Sequence, residues 1–405
     1  MLRAEPPDEA ETAVDGALSR VGRFLTSLYE PELPGFRFSS SGATTLLSTA
    51  FAVQTLYLTD SLGQIHCAKL GLRIASTQSE DGTFIDPGFR VADTRGSHAE
   101  DYLRWQFSYF ALCALDMLGG SPSYNLEFVA PLLDRRRLTA WFEQLNWRNF
   151  WYSSNQLMFL LYFLTYRAER QGDTAARDTA QRCLDLLDAA QDPKTGLWGC
   201  DRRIAVHNRL YGSAHVVMFH DYYGREIRYP ERIVDAALAL QAPTGLFGSR
   251  YGGACEDYDA IEVLLKVGAQ TGYRRADIRA SLRRAVEALL RGQDSTGGFA
   301  YRLAPKGSGP LATLRACLLR RRTYSYSGWR KMTTSEFEPD AWATYFRALS
   351  LCATQRYLGE RHARFYELPA WGYGLRGWAS SPPSLERRAA PCTQAPRHSV
   401  PSAGS

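Results

Sequence analysis

The sequence predicts an all-α fold, a single (α/α)6 toroid built from six helical hairpins. Two observations predict it: a short pattern that recurs along the chain, and a second series of helical segments that alternates with it. In the pattern a leucine-rich helical run reaches Gln, then three or four residues, then Gly, one residue and an aromatic. The copies are Gln78…Gly82-Thr83-Phe84, Gln191…Gly196-Leu197-Trp198, Gln241…Gly245-Leu246-Phe247 and Gln293…Gly297-Gly298-Phe299. Gln191, Gln241 and Gln293 stand 50 and 52 residues apart, and Gln78 stands 113 residues before Gln191. A period near 50 residues signals stacked supersecondary units, and the doubled first gap calls for one degenerate copy inside it. That copy is read at Gln144-Leu-Asn-Trp147-Arg-Asn-Phe150-Trp151, which lacks the Gly.

The pattern has a structural reading. Gly supplies the positive-φ turn after a helix C-terminus. The aromatic folds back over that turn, and the Gln amide ties orphan helix-end groups to the next unit. The interleaved helices are expected at 41–62, 98–118, 153–170, 208–223, 255–271 and 338–356. Their bodies, such as LLSTAFAVQTLYL and LMFLLYFLTY, are apolar on more than one face, so they must be buried on all sides. Helices ending at the motif Gln, such as ARDTAQRCLDLLDAA, are amphipathic and should face solvent. An inner parallel ring inside an outer antiparallel one follows, with short turns between them.

The apolar repeats run nearly end to end, so 405 residues form one domain rather than two. Residues 1–12 read as a polar tail, with an entry helix over 13–29 opening a toroid that extends to 370. The Pro-, Ser- and Arg-rich stretch 371–405 reads as a disordered tail. The net charge of +6 comes partly from Arg135–Arg137 and Arg320–Arg322, runs read as solvated faces. No nucleic-acid-binding motif is present, so no nucleic-acid partner is expected. Arg-rich outer helices suit an acidic protein or a peripheral membrane surface. Eight scattered Cys without CxxC pairs and an acidic N-terminus without an apolar core suggest a reducing, cytoplasmic setting.

The inner-helix starts gather polar and aromatic residues that capping alone does not explain. Candidate catalytic groups are Asp101, His215, Asp257, Asp259 and Asp340. Candidate substrate contacts are Tyr102, Trp105, Asn155, Tyr211, Glu256, Tyr258 and Trp342. The Glu256–Asp257–Asp259 cluster would raise its own carboxyl pKa values by like charge, which a general acid requires. Ser, Asn and Asp at helix starts also have an ordinary capping reading.

The Gln-x(3,4)-Gly-x-aromatic repeat after a leucine-rich helix resembles that of the terpenoid cyclase and protein prenyltransferase toroid superfamily, over about residues 40–350. The superfamily's protonating cyclases carry Asp-x-Asp-Asp-Thr-Ala at such a helix start. The resemblance puts Asp257 on the central, proton-donating Asp. Cys255, Tyr258 and Asp259 replace the first Asp, the last Asp and the Thr. The prenyltransferases hold zinc by Asp-x-Cys and a His on the next inner helix. Here Cys255-x-Asp257 has the reverse order and the next helix offers Asp340, so no metal and no cofactor is expected.

Three functions follow. The first is an acid-initiated isoprenoid enzyme using Asp257 in an aromatic-lined cavity. The second is a carbohydrate-active enzyme, either through Asp101, Asp257 and Asp340 facing one another or through a His215–Tyr211 acid/base pair. The third is a binding scaffold without catalysis. The implied ligand is a small molecule, an isoprenoid or a sugar.

Overall fold

The computed structural model describes residues 9–94, 100–199, 205–303, 318 and 321–358. Expectations for residues 1–8 and 359–405, the C-terminal tail among them, lie outside the described residues.

The fold is an all-α toroid. Its inner helices are α2 (Leu46–Leu58), α4 (Glu100–Met117), α6 (Phe150–Arg170), α8 (Val206–Tyr223), α10 (Ala254–Thr271) and α12 (Ala341–Leu358). Each packs against the next, and α12 packs back on α2, so the ring closes. Around it lie α1 (Glu9–Ser27), α3 (Cys67–Ala75), α5 (Arg135–Glu143), α7 (Thr174–Ala190), α9 (Pro230–Ala239) and α11 (Arg275–Gly292). The inner helices are buried on nearly every face because every face meets another helix. In the outer helices α7 and α11 only one mostly apolar stripe is buried, Ala176, Thr179, Ala180, Cys183, Leu184 and Leu187 in the former.

The repeat staples the ring. Each motif Gln Nε2 donates to the carbonyl of its own motif Gly and to a backbone carbonyl of the next unit. Those second acceptors are Tyr124 for Gln78, Arg228 for Gln191, Ser281 for Gln241 and Ala17 for Gln293. The motif glycines have φ of +90° (Gly82), +73° (Gly196), +94° (Gly245) and +96° (Gly297). A Cβ on any of them would collide with a carbonyl oxygen of the next unit, at Asn125, Tyr229, Arg284 and Arg20. Glycine is needed for both the conformation and the close approach.

The structure adjusts several expected boundaries. The first inner helix begins at Leu46, not 41, because Thr45 and Ser48 form a capping box and Arg37 bridges Thr44 in front of it. The last begins at Ala341, because Asp340 accepts the Ala343 N–H. Two antiparallel ribbons, β1 (Tyr29–Glu30) with β2 (Gly35–Phe36) and β3 (Thr323–Ser325) with β4 (Thr333–Ser335), were not expected. The entry helix α1 is part of the ring itself, since Gln293 of the last repeat bonds its Ala17 carbonyl. No described helix is long and apolar enough to cross a membrane. Cys67, Cys113, Cys183 and Cys352 are buried free thiols, and Cys255 is a half-buried one.

Candidate functional site

The N-terminal end of α10 is where segments from around the ring meet. The Cys255 thiol lies within electrostatic reach of Tyr102 on α4, Tyr211 on α8, Tyr301 after the last motif and Tyr326 beside the β3–β4 ribbon. Burial pushes all four phenols above their ordinary value, with neighbouring acidic groups adding to it. An aromatic wall stands on one side: Tyr301, Tyr324, Tyr326 and Trp342, with adjacent ring centroids 4.9 to 5.8 Å apart. On another side Tyr102 stacks on Tyr152 at 4.7 Å, and Trp151 lies 5.2 Å from Tyr211. Tyr258 is buried against Phe346.

The carboxylates at this end have different duties. Residues two apart on a helix point in nearly opposite directions. Asp257 therefore turns outward to the preceding turn, and Asp259 turns to α6 and α8. Asp257 accepts the Phe247 N–H at 2.5 Å and the Gly253 N–H at 3.2 Å, and it is ion-paired with Arg347. Both partners are buried, Arg347 at 0% and Asp257 at 1% exposure. Burial, with Glu256 adding to it, holds the Asp257 carboxyl above its ordinary value, and the guanidinium and the Phe247 N–H offset this only in part.

Asp257 also occupies a position that other units share. The Phe36 N–H donates to Thr49 Oγ1 at 3.1 Å, Phe84 to Ser108 Oγ at 2.9 Å, Trp198 to Ser213 Oγ at 3.1 Å and Phe299 to Thr344 Oγ1 at 2.9 Å. In each case an aromatic N–H before an inner helix is satisfied by a short polar side chain on that helix. Asp257 does this for Phe247, with a charge that Arg347 neutralises.

Asp259 is 1% exposed. Its Oδ2 accepts the Trp151 indole N–H at 3.1 Å, and its Oδ1 lies 3.8 Å from His215 Nε2. Burial pushes this carboxyl well above the ordinary range, and Glu262 and Glu256 push it further. Glu256, Asp259 and Glu262 recur every third residue, so they share one face of α10. Lys266 neutralises the far end of that row, 2.7 Å from Glu262. His215 is neutral, with burial lowering its pKa to about 3. Ser154 donates its hydroxyl to the Trp151 carbonyl at 3.0 Å, so the His215 Nδ1–H donates to Ser154 Oγ at 2.9 Å. That tautomer turns the Nε2 lone pair toward the Asp259 carboxyl, whose neutral form burial favours.

Asp340 caps α12 through the Ala343 N–H at 2.8 Å and accepts the Tyr324 hydroxyl at 2.7 Å. Burial pushes it up to about 7. Glu256 accepts the Tyr301 hydroxyl at 2.7 Å.

The expected arrangement of Asp101, Asp257 and Asp340 around one mouth is not what the geometry shows. Asp257 and Asp340 are engaged with helix-end N–H groups, Arg347 and Tyr324. Asp101 is exposed and, with Trp105, lines a separate groove between α4, α5 and α6. Asn155 is half-buried and donates to the Trp151 carbonyl at 2.8 Å. Trp151, Arg347, Tyr301, Tyr324 and Tyr326 were missed by the sequence reading. Only Arg347, a charge inside an apolar helix, left a visible signal. Among the described residues no group of three His, Cys, Asp or Glu side chains is gathered to hold a metal ion.

A closed helical toroid with buried carboxyls and aromatic walls at one end defines the class. The chain belongs to the prenyltransferase alpha-alpha toroid domain family, which it matches over residues 9–98 and 92–309. Among solved structures, the apo form of the type II terpene cyclase MstE from Scytonema is similar at 14% identity and a TM-score of 0.50, covering 85% of this chain and 99% of that one. A single-site variant of that cyclase bound to geranylgeranyl dihydroxybenzoate is similar at 13% identity and 0.48, covering 85% and 98%. A family 88 glycosyl hydrolase from Bacteroides vulgatus is similar at 12% identity and 0.47, covering 86% and 99%. Likeness at these identities concerns the fold alone. No curated protein matches the sequence.

Proposed function

We propose that this chain is an acid-initiated isoprenoid cyclase, a six-hairpin (α/α)6 toroid whose proton donor is Asp259 rather than Asp257. The observation that carries the reading is the buried Asp259 carboxyl, bonded to the Trp151 indole, whose proton affinity is raised by burial and by Glu262 and Glu256. A carboxyl that is to protonate an alkene must carry its proton at neutral pH until the substrate is in place. Asp257 suits the task less, because Arg347 and two N–H groups favour its carboxylate.

In the proposed reaction Asp259 gives its proton to the terminal alkene of an acyclic polyprenyl substrate. The π pair forms the new C–H bond and leaves a tertiary cation. Internal alkenes attack that cation to close rings, and loss of a proton ends the sequence, so the product is an isomer of the substrate. Tyr301, Tyr324, Tyr326 and Trp342 offer π faces that stabilise carbon cations. Family membership supports this substrate class over others.

The test is incubation with farnesyl and geranylgeranyl compounds in heavy water, followed by mass spectrometry. Cyclic isomers carrying one deuterium from solvent are expected from the native protein and from none of the Asp259→Asn samples. Absence of any isomer with the native protein, or undiminished turnover in Asp259→Asn, would refute the assignment.

A further inference from the structure

We propose that the groove between α4, α5 and α6 is a saccharide-binding site, separate from the acid at Asp259. The groove has a volume of about 400 Å³, within the range of small-molecule sites. It lies beside the first repeat turn, with Thr83 in its wall.

Its chemistry points to a sugar. Asp101, Arg104 and Trp105 stand three and four residues apart on α4, so they share one face of that helix. Trp105 and Trp141 form a shelf, with ring centroids 6.0 Å apart and planes inclined by 32°. Phe163 packs edge-to-face with Trp105, centroids 5.9 Å apart and planes at 87°. Gln156 of α6 closes the polar side. A pyranose presents an apolar C–H face and a rim of hydroxyls that both donate and accept. The indole shelf suits the face. Asp101 accepts, Arg104 donates and Gln156 does both, which suits the rim.

Other ligand classes match less well. An isoprenoid chain would strip water from Asp101 and Arg104 without replacing it. An organic cation would meet Asp81 and Asp101 but also the Arg104 guanidinium beside them, and Asp81 Oδ1 is already engaged by the Thr83 N–H and hydroxyl.

Isothermal titration of the full-length protein with cellobiose, maltose, lactose and chitobiose tests the proposal, with indole fluorescence read in parallel. At least one disaccharide is expected to bind. Trp105→Ala should weaken that binding roughly ten-fold, the order of an aromatic stacking contact. Since Trp105 also packs on Phe163, Gln156→Ala serves as the variant at a half-buried position and should weaken binding as well. Asp259→Asn should leave it unchanged. Failure of all four sugars to bind, or binding unaffected by both groove substitutions, would overturn the proposal. Binding lost in Asp259→Asn would overturn it too, by moving the sugar to the inner-helix end. None of these outcomes depends on whether the protein turns over an isoprenoid.

Discussion

Asp257 and Asp259 stand two residues apart, yet their substitution by Asn should have opposite signatures. Asn at 257 still accepts the Phe247 N–H but leaves the buried Arg347 guanidinium without a counter-charge. The expected cost is about 3–5 kcal/mol of unfolding free energy, measured by urea denaturation. Asn at 259 replaces a carboxyl whose neutral form burial favours by a neutral amide that can still accept the Trp151 N–H. Stability at neutral pH should hold while the proposed cyclisation falls by about 10²–10⁴-fold, the usual weight of a positioned acid. Asp340 supplies a pH signature. Its folded pKa is raised from 3.8 to about 7, so between those values the folded state binds the proton that the unfolded chain has released. Its contribution is therefore fully present below pH 3.8 and is lost as pH rises through about 7. Denaturation at pH 5 and pH 8 should show this fall in the native protein and a smaller one in Asp340→Asn, which keeps a good capping side chain.

At the scale of the element, the turn motif is the unit whose geometry tolerates least change. Gly245 has φ of +94° and its missing Cβ makes room for the Arg284 carbonyl on α11. Gly245→Ala should lower stability by about 1–3 kcal/mol from backbone strain alone, before the clash is counted. The measurement is the shift in denaturation midpoint, and an unchanged midpoint would contradict the stapling role. The degenerate unit shows the converse. Where the Gly is missing, Gln144 caps α5 and the chain passes through a short 3-10 turn at Trp147–Asn149 into α6. That junction adjoins the groove between α4, α5 and α6, where Trp105 and Trp141 form their shelf.

For the whole molecule, the packing of α12 on α2 that closes the ring is joined by a staple between distant parts of the chain. Gln293 donates to the Ala17 carbonyl at 2.9 Å and accepts from the Arg20 guanidinium. Gln293→Ala would remove bonds to the Ala17 and Gly297 carbonyls and to the Arg20 guanidinium, and should cost about 1–3 kcal/mol. Because closure couples the first unit to the last, hydrogen exchange should rise in α1 and α11 together. A rise in α11 alone would mean that α1 is held independently.

The sequence by itself determined the toroid, its repeat and the polarity of the inner-helix starts. Helix periodicity and a positive-φ glycine are local properties, and local properties recur visibly when units recur. Ring closure by α1 was out of reach, since a contact between Gln293 and Ala17 leaves no periodic trace. The duties of the two aspartates were decided only in the folded molecule. A helix turns about 200° over two residues, so which carboxyl meets a guanidinium and which meets an indole depends on neighbours from α6, α8 and α12. The separation of Asp101 and Trp105 from the α10 end has the same cause. Position along one helix is written in the sequence, and the partner that each face meets is set by how the helices pack around the ring.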